Sequence, residues 1–189
     1  MIGRHHPSAS IEVWAQDEAR LGLVPIVRRM WSPRGERPIA LNRRRYEWVY
    51  VYCFVHPSTG RTEWLLLPTV NTELFQLAIN YFSEAVGVSE SRHVILVVDQ
   101  AGWHMSKHLQ IPQGLHLVAL PSHSPELQPS ERLWPLLREA VANQHFFTMN
   151  EFENKLIKRS LELRDNPQLI HRHTMFHWWA HATNAERLS

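Results

Sequence analysis

Three carboxylates stand where a phosphate-handling metal site could be assembled. Asp17 ends an apolar row in which Ile11, Val13 and Ala15 share one face of an alternating segment, and Asp99 ends the continuous apolar run from His93 to Val98. Glu131 follows Pro129 in a segment read as the first turn of a helix, whose positive end favours an ionised carboxylate. Taken singly, an aspartate after a strand is a common turn former and a first-turn glutamate is routine. Taken together, three acids repel one another and raise each other's pKa, which is costly unless a cation lies among them. All-oxygen ligands suit Mg2+ or Mn2+, and two such ions would activate the attacking oxygen and steady the leaving one in an in-line displacement at phosphorus.

Periodicity predicts the elements that must position these acids. Ile11 to Asp17 reads as a strand. Tyr46 to Val55 and Arg61 to Leu67 read as the two arms of a hairpin turned at His56 to Gly60. Asn71 can cap a helix whose apolar stripe is Leu74, Phe75, Leu77, Ala78, Tyr81, Phe82, Ala85 and Val86, with Gly87 as its stop. His93 to Val98 and Leu115 to Leu120 read as two further strands, the first buried on both faces. A helix should begin near Pro129 and be kinked or tightened at Pro135. Thr148 and Glu151 then form a capping-box pattern, Phe147 and Phe152 a hydrophobic staple, and the helix they start should run to about Leu163. This order predicts an α/β protein, a mixed sheet flanked by helices, and ligands in such sheets gather beyond the carboxyl ends of the central strands. Asp17 and Asp99 are thereby expected to be neighbours.

Composition narrows the alternatives. With 189 residues, 44% hydrophobic and 20% charged, the chain suits one folded domain rather than a disordered one. No apolar run approaches the roughly 20 residues of a membrane span, and the N-terminus lacks the apolar stretch of a signal peptide, so a cytoplasmic protein without a membrane partner is expected. The single cysteine, Cys53, excludes a disulfide framework and a cysteine-based zinc site. Arg28, Arg29, Arg34, Arg37, Arg43, Arg44 and Arg45 crowd one stretch, which could bind phosphates or be a solvated hairpin. His173, His177 and His181 fall four apart, so a helix would stack them as a histidine-based metal-binding module; the alternative is a tail that packs its tryptophans on the domain.

Three strings carry a family resemblance: Gln16-Asp17-Glu18-Ala19-Arg20, Val98-Asp99-Gln100-Ala101-Gly102-Trp103-His104, and Ser124-Pro125-Glu126-Leu127-Gln128-Pro129-Ser130-Glu131-Arg132-Leu133-Trp134. They closely resemble the three acidic motifs of bacterial insertion-sequence transposases of the mariner superfamily, over roughly Val13 to Leu163. The resemblance implies a ribonuclease H-like fold in which Asp17, Asp99 and Glu131 hold two Mg2+ ions, with Mn2+ able to substitute. It implies hydrolysis at transposon ends by water, then attack of the freed 3′-hydroxyl on target DNA, with no covalent protein–DNA intermediate.

Within that picture His104 would orient substrate or a metal-bound water, or simply close the loop after the strand. Gln100 and Gly102 would shape the loop, the glycine by adopting unusual backbone angles. Arg28, Arg29, Arg43, Arg44 and Arg45 would contact double-stranded DNA, both transposon ends and target. The shorter spacing between Asp99 and Glu131 is assigned to a trimmed loop near Pro112 and Gly114. The expected layout is an N-terminal extension at 1–10, the endonuclease domain at 11–165 and a His- and Trp-rich C-terminal tail at 166–189. The first acidic motif begins almost at the N-terminus, so three readings stand: a catalytic half whose ends are recognised by a separate helix-turn-helix polypeptide, a truncated remnant, or one domain cut from a longer chain. The acting form would be a homodimer associated with the nucleoid. An inactive or domesticated DNA-binding remnant is the competing reading.

Overall fold

The computed structural model describes residues 9–24, 26, 34, 46–122, 124–177 and 179. Five strands, β1 (Ser10–Gly22), β2 (Trp48–His56), β3 (Arg61–Leu67), β4 (Arg92–Val98) and β5 (Leu115–Ala119), form one mixed sheet in the order β3-β2-β1-β4-β5. β1 to β3 form an antiparallel meander, whereas β4 and β5 run parallel to β1. The central strand is thus the first in sequence. Its odd positions Val13, Ala15, Ala19 and Leu21 enter one core and its even position Trp14 enters the other.

Helix α1 (Thr72–Val86) covers one face. Asn71 caps it, its side chain accepting from the Leu74 amide at 2.8 Å, and Gly87 closes it with φ 75°. The buried stripe is Phe75, Ala78, Ile79, Phe82 and Val86, rotated from the one predicted: Leu77 and Tyr81 face solvent and Ile79 replaces them. Both stripes have helical spacing, and the choice falls to the one that reaches the sheet. Phe82 stacks on Phe54 at 4.4 Å and meets the edge of Trp14 at 5.1 Å.

The opposite face is covered by α2 (Trp134–Arg138), α3 (Met149–Arg164) and α4 (Pro167–Thr174), through Leu133, Trp134, Leu137, Phe152, Leu156, Leu163 and Ile170. The helix expected from Pro129 is instead a 3-10 segment, Pro129–Leu133, that becomes α-helical only at Trp134. The reason is Pro135. It has no N–H to give to the Glu131 carbonyl, so it suits only the first turn of the helix that follows.

Thr148 caps α3 as predicted, accepting from the Glu151 amide at 3.2 Å, and Glu151 reaches back to the Phe147 amide at 3.0 Å. The staple is corrected by one residue: Phe147 is exposed and Phe146 packs edge-on to Phe152 at 5.2 Å. The segment read as a C-terminal tail supplies α4 and the buried Trp179. The β2–β3 turn holds α4 in place. His171 Nδ1 bonds the Pro57 carbonyl at 2.8 Å, and a Cβ on Gly60, whose φ is 75°, would fall on the Pro167 carbonyl oxygen.

Candidate active site

Asp17, within β1, and Asp99, just past the end of β4, lie where these two strands stop pairing. The parallel pairing of β1 with β4 ends at Ala15 and Val97, so each aspartate lies two residues past the last pair on its strand. β1 continues beyond β4 because β2 still pairs with it, placing Asp17 opposite Cys53. Asp17 is therefore held by a strand on one side and open toward the β4 terminus on the other.

Asp17 is 9% exposed. Its Oδ2 accepts from the Trp134 indole Nε1 at 2.8 Å, and Trp134 is itself braced edge-on by Trp64. Burial pushes the Asp17 carboxyl up to about 7; the Trp134 bond opposes that rise, while the negative charges of Glu131 and Glu18 add to it. This aspartate is ionised at a substantial cost near neutral pH.

Glu131 comes from the 3-10 segment, and two bonds dock that segment on β1: Trp134 to Asp17, and Gln128 Nε2 to the Gln16 carbonyl at 2.8 Å. A helix dipole, the reason first given for Glu131, is replaced by these two anchors. Asp17, Asp99 and Glu131 all border one cavity of about 440 Å³, together with Gln100, Ser122 and Gln128. Gln100 shapes its wall, donating to the Leu120 carbonyl and accepting from Ser122 Oγ, each at 2.9 Å.

Asp99 is half exposed and bonded on one oxygen only. Its Oδ1 accepts from His104 Nδ1 at 2.6 Å and from the Ala101 amide at 3.0 Å. The His104 bond holds the Asp99 carboxyl below its usual range. His104 is buried, and its Nε2 lies 2.9 Å from Oε1 of Glu18, whose side chain is also buried. Burial opposes a charge on this imidazole, but the bonds to Asp99 and Glu18 outweigh it and raise His104 to about 9. Phe75 packs its ring 4.3 Å from the imidazole.

Glu18 is the residue that sequence reasoning missed. It follows Asp17 on the strand, so alternation sends it to the opposite face. The signals were the adjacent "QDE" string and the two roles left open for His104. Gly102 is corrected: it has no positive φ and a Cβ there would meet nothing within 4 Å. Gly114, at φ 87°, carries the tight turn of the preceding loop instead.

Arg28, Arg29, Arg43, Arg44 and Arg45 lie outside the described residues, as does His181. The helical histidine stack is overturned for the part described. α4 ends at Thr174, so His173 is on the helix and His177 lies beyond it. Among the described residues no three His, Cys, Asp or Glu side chains cluster as a metal-holding group. Asp17 and Glu131 remain close enough to raise the Asp17 carboxyl. An all-oxygen donor set with this uncompensated charge fits a hard divalent cation.

The mixed five-stranded sheet with helices on both faces is a ribonuclease H-like fold. Similar solved structures include the mariner Mos1 paired end complex with Mg (TM-score 0.63, 18% identity, 93% of this chain and 55% of that one). The Mos1 mariner paired end complex with Mn gives 0.62, with 16% identity over 87% and 54%. The Mos1 strand transfer complex gives 0.55, with 17% identity over 85% and 54%. The chain spans about half the length of these Mos1 chains. Residues 12–153 match the family described as DDE superfamily endonuclease, and the chain belongs to that family. It is also 34% identical over 100 residues, 53% of this chain and 73% of the relative, to the uncharacterized protein y4pE/y4sA of Sinorhizobium fredii (strain NBRC 101917 / NGR234).

Proposed function

We propose that this chain is the catalytic part of a DNA transposase, a divalent-metal-dependent enzyme that hydrolyses phosphodiesters at transposon ends and joins the freed 3′-hydroxyl to target DNA. The observation that carries this reading is the meeting of Asp17, Asp99 and Glu131, from three distant segments, around one cavity where β4 ends and its pairing with β1 stops. Their placement follows the general rule for ligand sites in such sheets. Membership of the endonuclease family and a fold shared with Mos1 in its DNA complexes support it.

Asp17, Asp99 and Glu131 would hold two Mg2+ ions, or Mn2+ in their place. When bound, these cations supply Lewis acidity and charge neutralisation to the attacking and leaving oxygens. In the first step a water oxygen bonds to phosphorus while a P–O bond breaks, leaving a 3′-hydroxyl and a 5′-phosphate. In the second, that hydroxyl oxygen bonds to a target phosphorus and displaces a 3′-oxygen of the target strand.

The chain's own residues set the geometry. Trp134 orients Asp17, His104 fixes one oxygen of Asp99, and Gln100 and Ser122 shape the wall along which a phosphate would lie. Arg28, Arg29, Arg43, Arg44 and Arg45 would add phosphate contacts to double-stranded DNA. A helix-turn-helix unit would recognise the ends, and the acting form would be a homodimer, in the cytoplasm on the nucleoid.

The test is cleavage of labelled duplex DNA carrying the element's ends, with Mg2+ or Mn2+, by the wild type and by Glu131→Gln. The wild type should cut and the variant should bind DNA without cutting. Substantial cutting by Glu131→Gln would remove that residue from the site. A wild type that binds end DNA but never cuts would favour a domesticated DNA-binding protein.

A further inference from the structure

Among the described residues outside the acidic cavity wall, Glu18 is a buried carboxylate with no part in the reading above. Its side chain is 6% exposed, and Oε1 lies 2.9 Å from His104 Nε2, while Nδ1 of the same ring lies 2.6 Å from Asp99 Oδ1. The imidazole thus bridges two carboxylates, one within β1 and one just past the end of β4. An imidazole nitrogen facing a carboxylate oxygen at such distances is a donor, so each carboxylate takes one N–H. The Trp103 indole Nε1 also approaches Nε2, at 3.1 Å. The indole N–H can only donate, so with Nε2 protonated this longer approach is not a hydrogen bond, and the Nε2 proton goes to the nearer Glu18 Oε1.

A doubly bonded ring cannot turn. Both bonds to Asp99, from His104 and from the Ala101 amide, fall on Oδ1, and Oδ2 has no hydrogen bond. Asp99 is otherwise a half-exposed side chain at a strand end, free to rotate. Phe75 closes the remaining side of the imidazole at 4.3 Å.

Resting on the metal-site reading above, we infer that Glu18 is a positioning residue: through His104 it locks the Asp99 carboxylate so that one oxygen is engaged and the other is kept for a divalent cation. Glu18 touches neither cation nor DNA. It acts from the far face of β1, which is why its effect must pass through the histidine. Outer partners of this kind commonly set metal affinity by 10- to 100-fold.

The experiment is a calorimetric titration of Mn2+ into the full chain for the wild type, Glu18→Ala, His104→Ala, the double variant and Asp17→Asn, each checked for folding by circular dichroism. Glu18→Ala should weaken Mn2+ binding by roughly 10-fold or more. The double variant should bind no more weakly than His104→Ala alone, because the two act as one unit. Unchanged affinity in Glu18→Ala, or losses that multiply in the double variant, would overturn the inference. If Glu18→Ala does not fold, Glu18→Gln carries the same comparison; it keeps an acceptor oxygen and the fold, and should weaken binding by a smaller factor that disappears in the His104→Ala background. Failure of the inference is distinguishable from failure of the metal site itself. In the first case the wild type binds Mn2+ and Asp17→Asn does not; a wild type that binds no Mn2+ overturns both.

Discussion

Replacing Asp17 with Asn should stabilise the metal-free fold while destroying its chemistry. Burial, with Glu131 and Glu18 nearby, lifts this carboxyl from 3.8 to about 7. A group whose folded pKa is raised holds its proton more tightly in the fold. Its contribution is therefore fully present when protonated and is lost as pH rises from about 4 through about 7. At about 1.4 kcal/mol per pKa unit, the ionised side chain destabilises the fold by about 4 kcal/mol above pH 8.

Asn removes the charge and keeps an oxygen for the Trp134 indole, though its amide must find partners of its own, so about 2–4 kcal/mol should be recovered. For a chain of this size that is a rise of roughly 5–15 °C in Tm. Thermal melts at pH 4 and pH 8 in EDTA, repeated with saturating Mg2+, read the effect. Asp17→Asn should melt well above the wild type at pH 8 in EDTA, and the gap should shrink toward pH 4. Mg2+ should stabilise the wild type and leave the variant unmoved. A variant that melts at or below the wild type at pH 8, or a gap indifferent to pH, would refute the electrostatic reasoning.

Trp134→Phe keeps the packing against Trp64 but removes the donor to Asp17 Oδ2. It should lower stability at pH 8 by about 1.5–3 kcal/mol, with a smaller loss at pH 4, read by urea denaturation at both. Gly60→Ala places a methyl group on the Pro167 carbonyl at a positive φ, so it should cost at least about 2 kcal/mol and loosen α4 in hydrogen exchange. Phe82→Ala empties the contact among Phe54, Trp14 and α1 and should cost about 3–5 kcal/mol in the same denaturation assay. Changing Arg43, Arg44 and Arg45 together to Ala should weaken DNA binding and flatten its salt dependence by a slope of up to about 3; an unchanged slope would take these arginines out of the interface.

Strands with a strict alternation or a continuous apolar run, such as β1 and β4, were legible because a buried sheet leaves little choice of register. Asp99 does follow the end of β4, but Asp17, expected at a strand end, lies inside β1, which pairs with β2 on to Gly22. Chemistry that crosses faces was not legible. Glu18 meets His104 only because β4 ends where β1 continues, a consequence of which strands pair and not of local spacing. The stripe of α1 admitted two phases, and only the position of the sheet selects Ile79 over Leu77 and Tyr81. Pro135 was read as kinking or tightening one helix; the turn before it is tightened to a 3-10 segment, and the α-helix starts only at Trp134. The position of Glu131 does not depend on that boundary, because Gln128 and Trp134, not the helix axis, dock its segment on β1.

The most direct measurement is anomalous diffraction from crystals soaked in Mn2+ with end DNA bound. Mn2+ peaks should lie within bonding distance, about 2.0–2.3 Å, of carboxylate oxygens of Asp17, Asp99 and Glu131, with the cut phosphate beside them. Peaks confined to the histidines of the C-terminal segment, or Mn2+ bound with any of the three acids out of reach, would contradict the shared cation site.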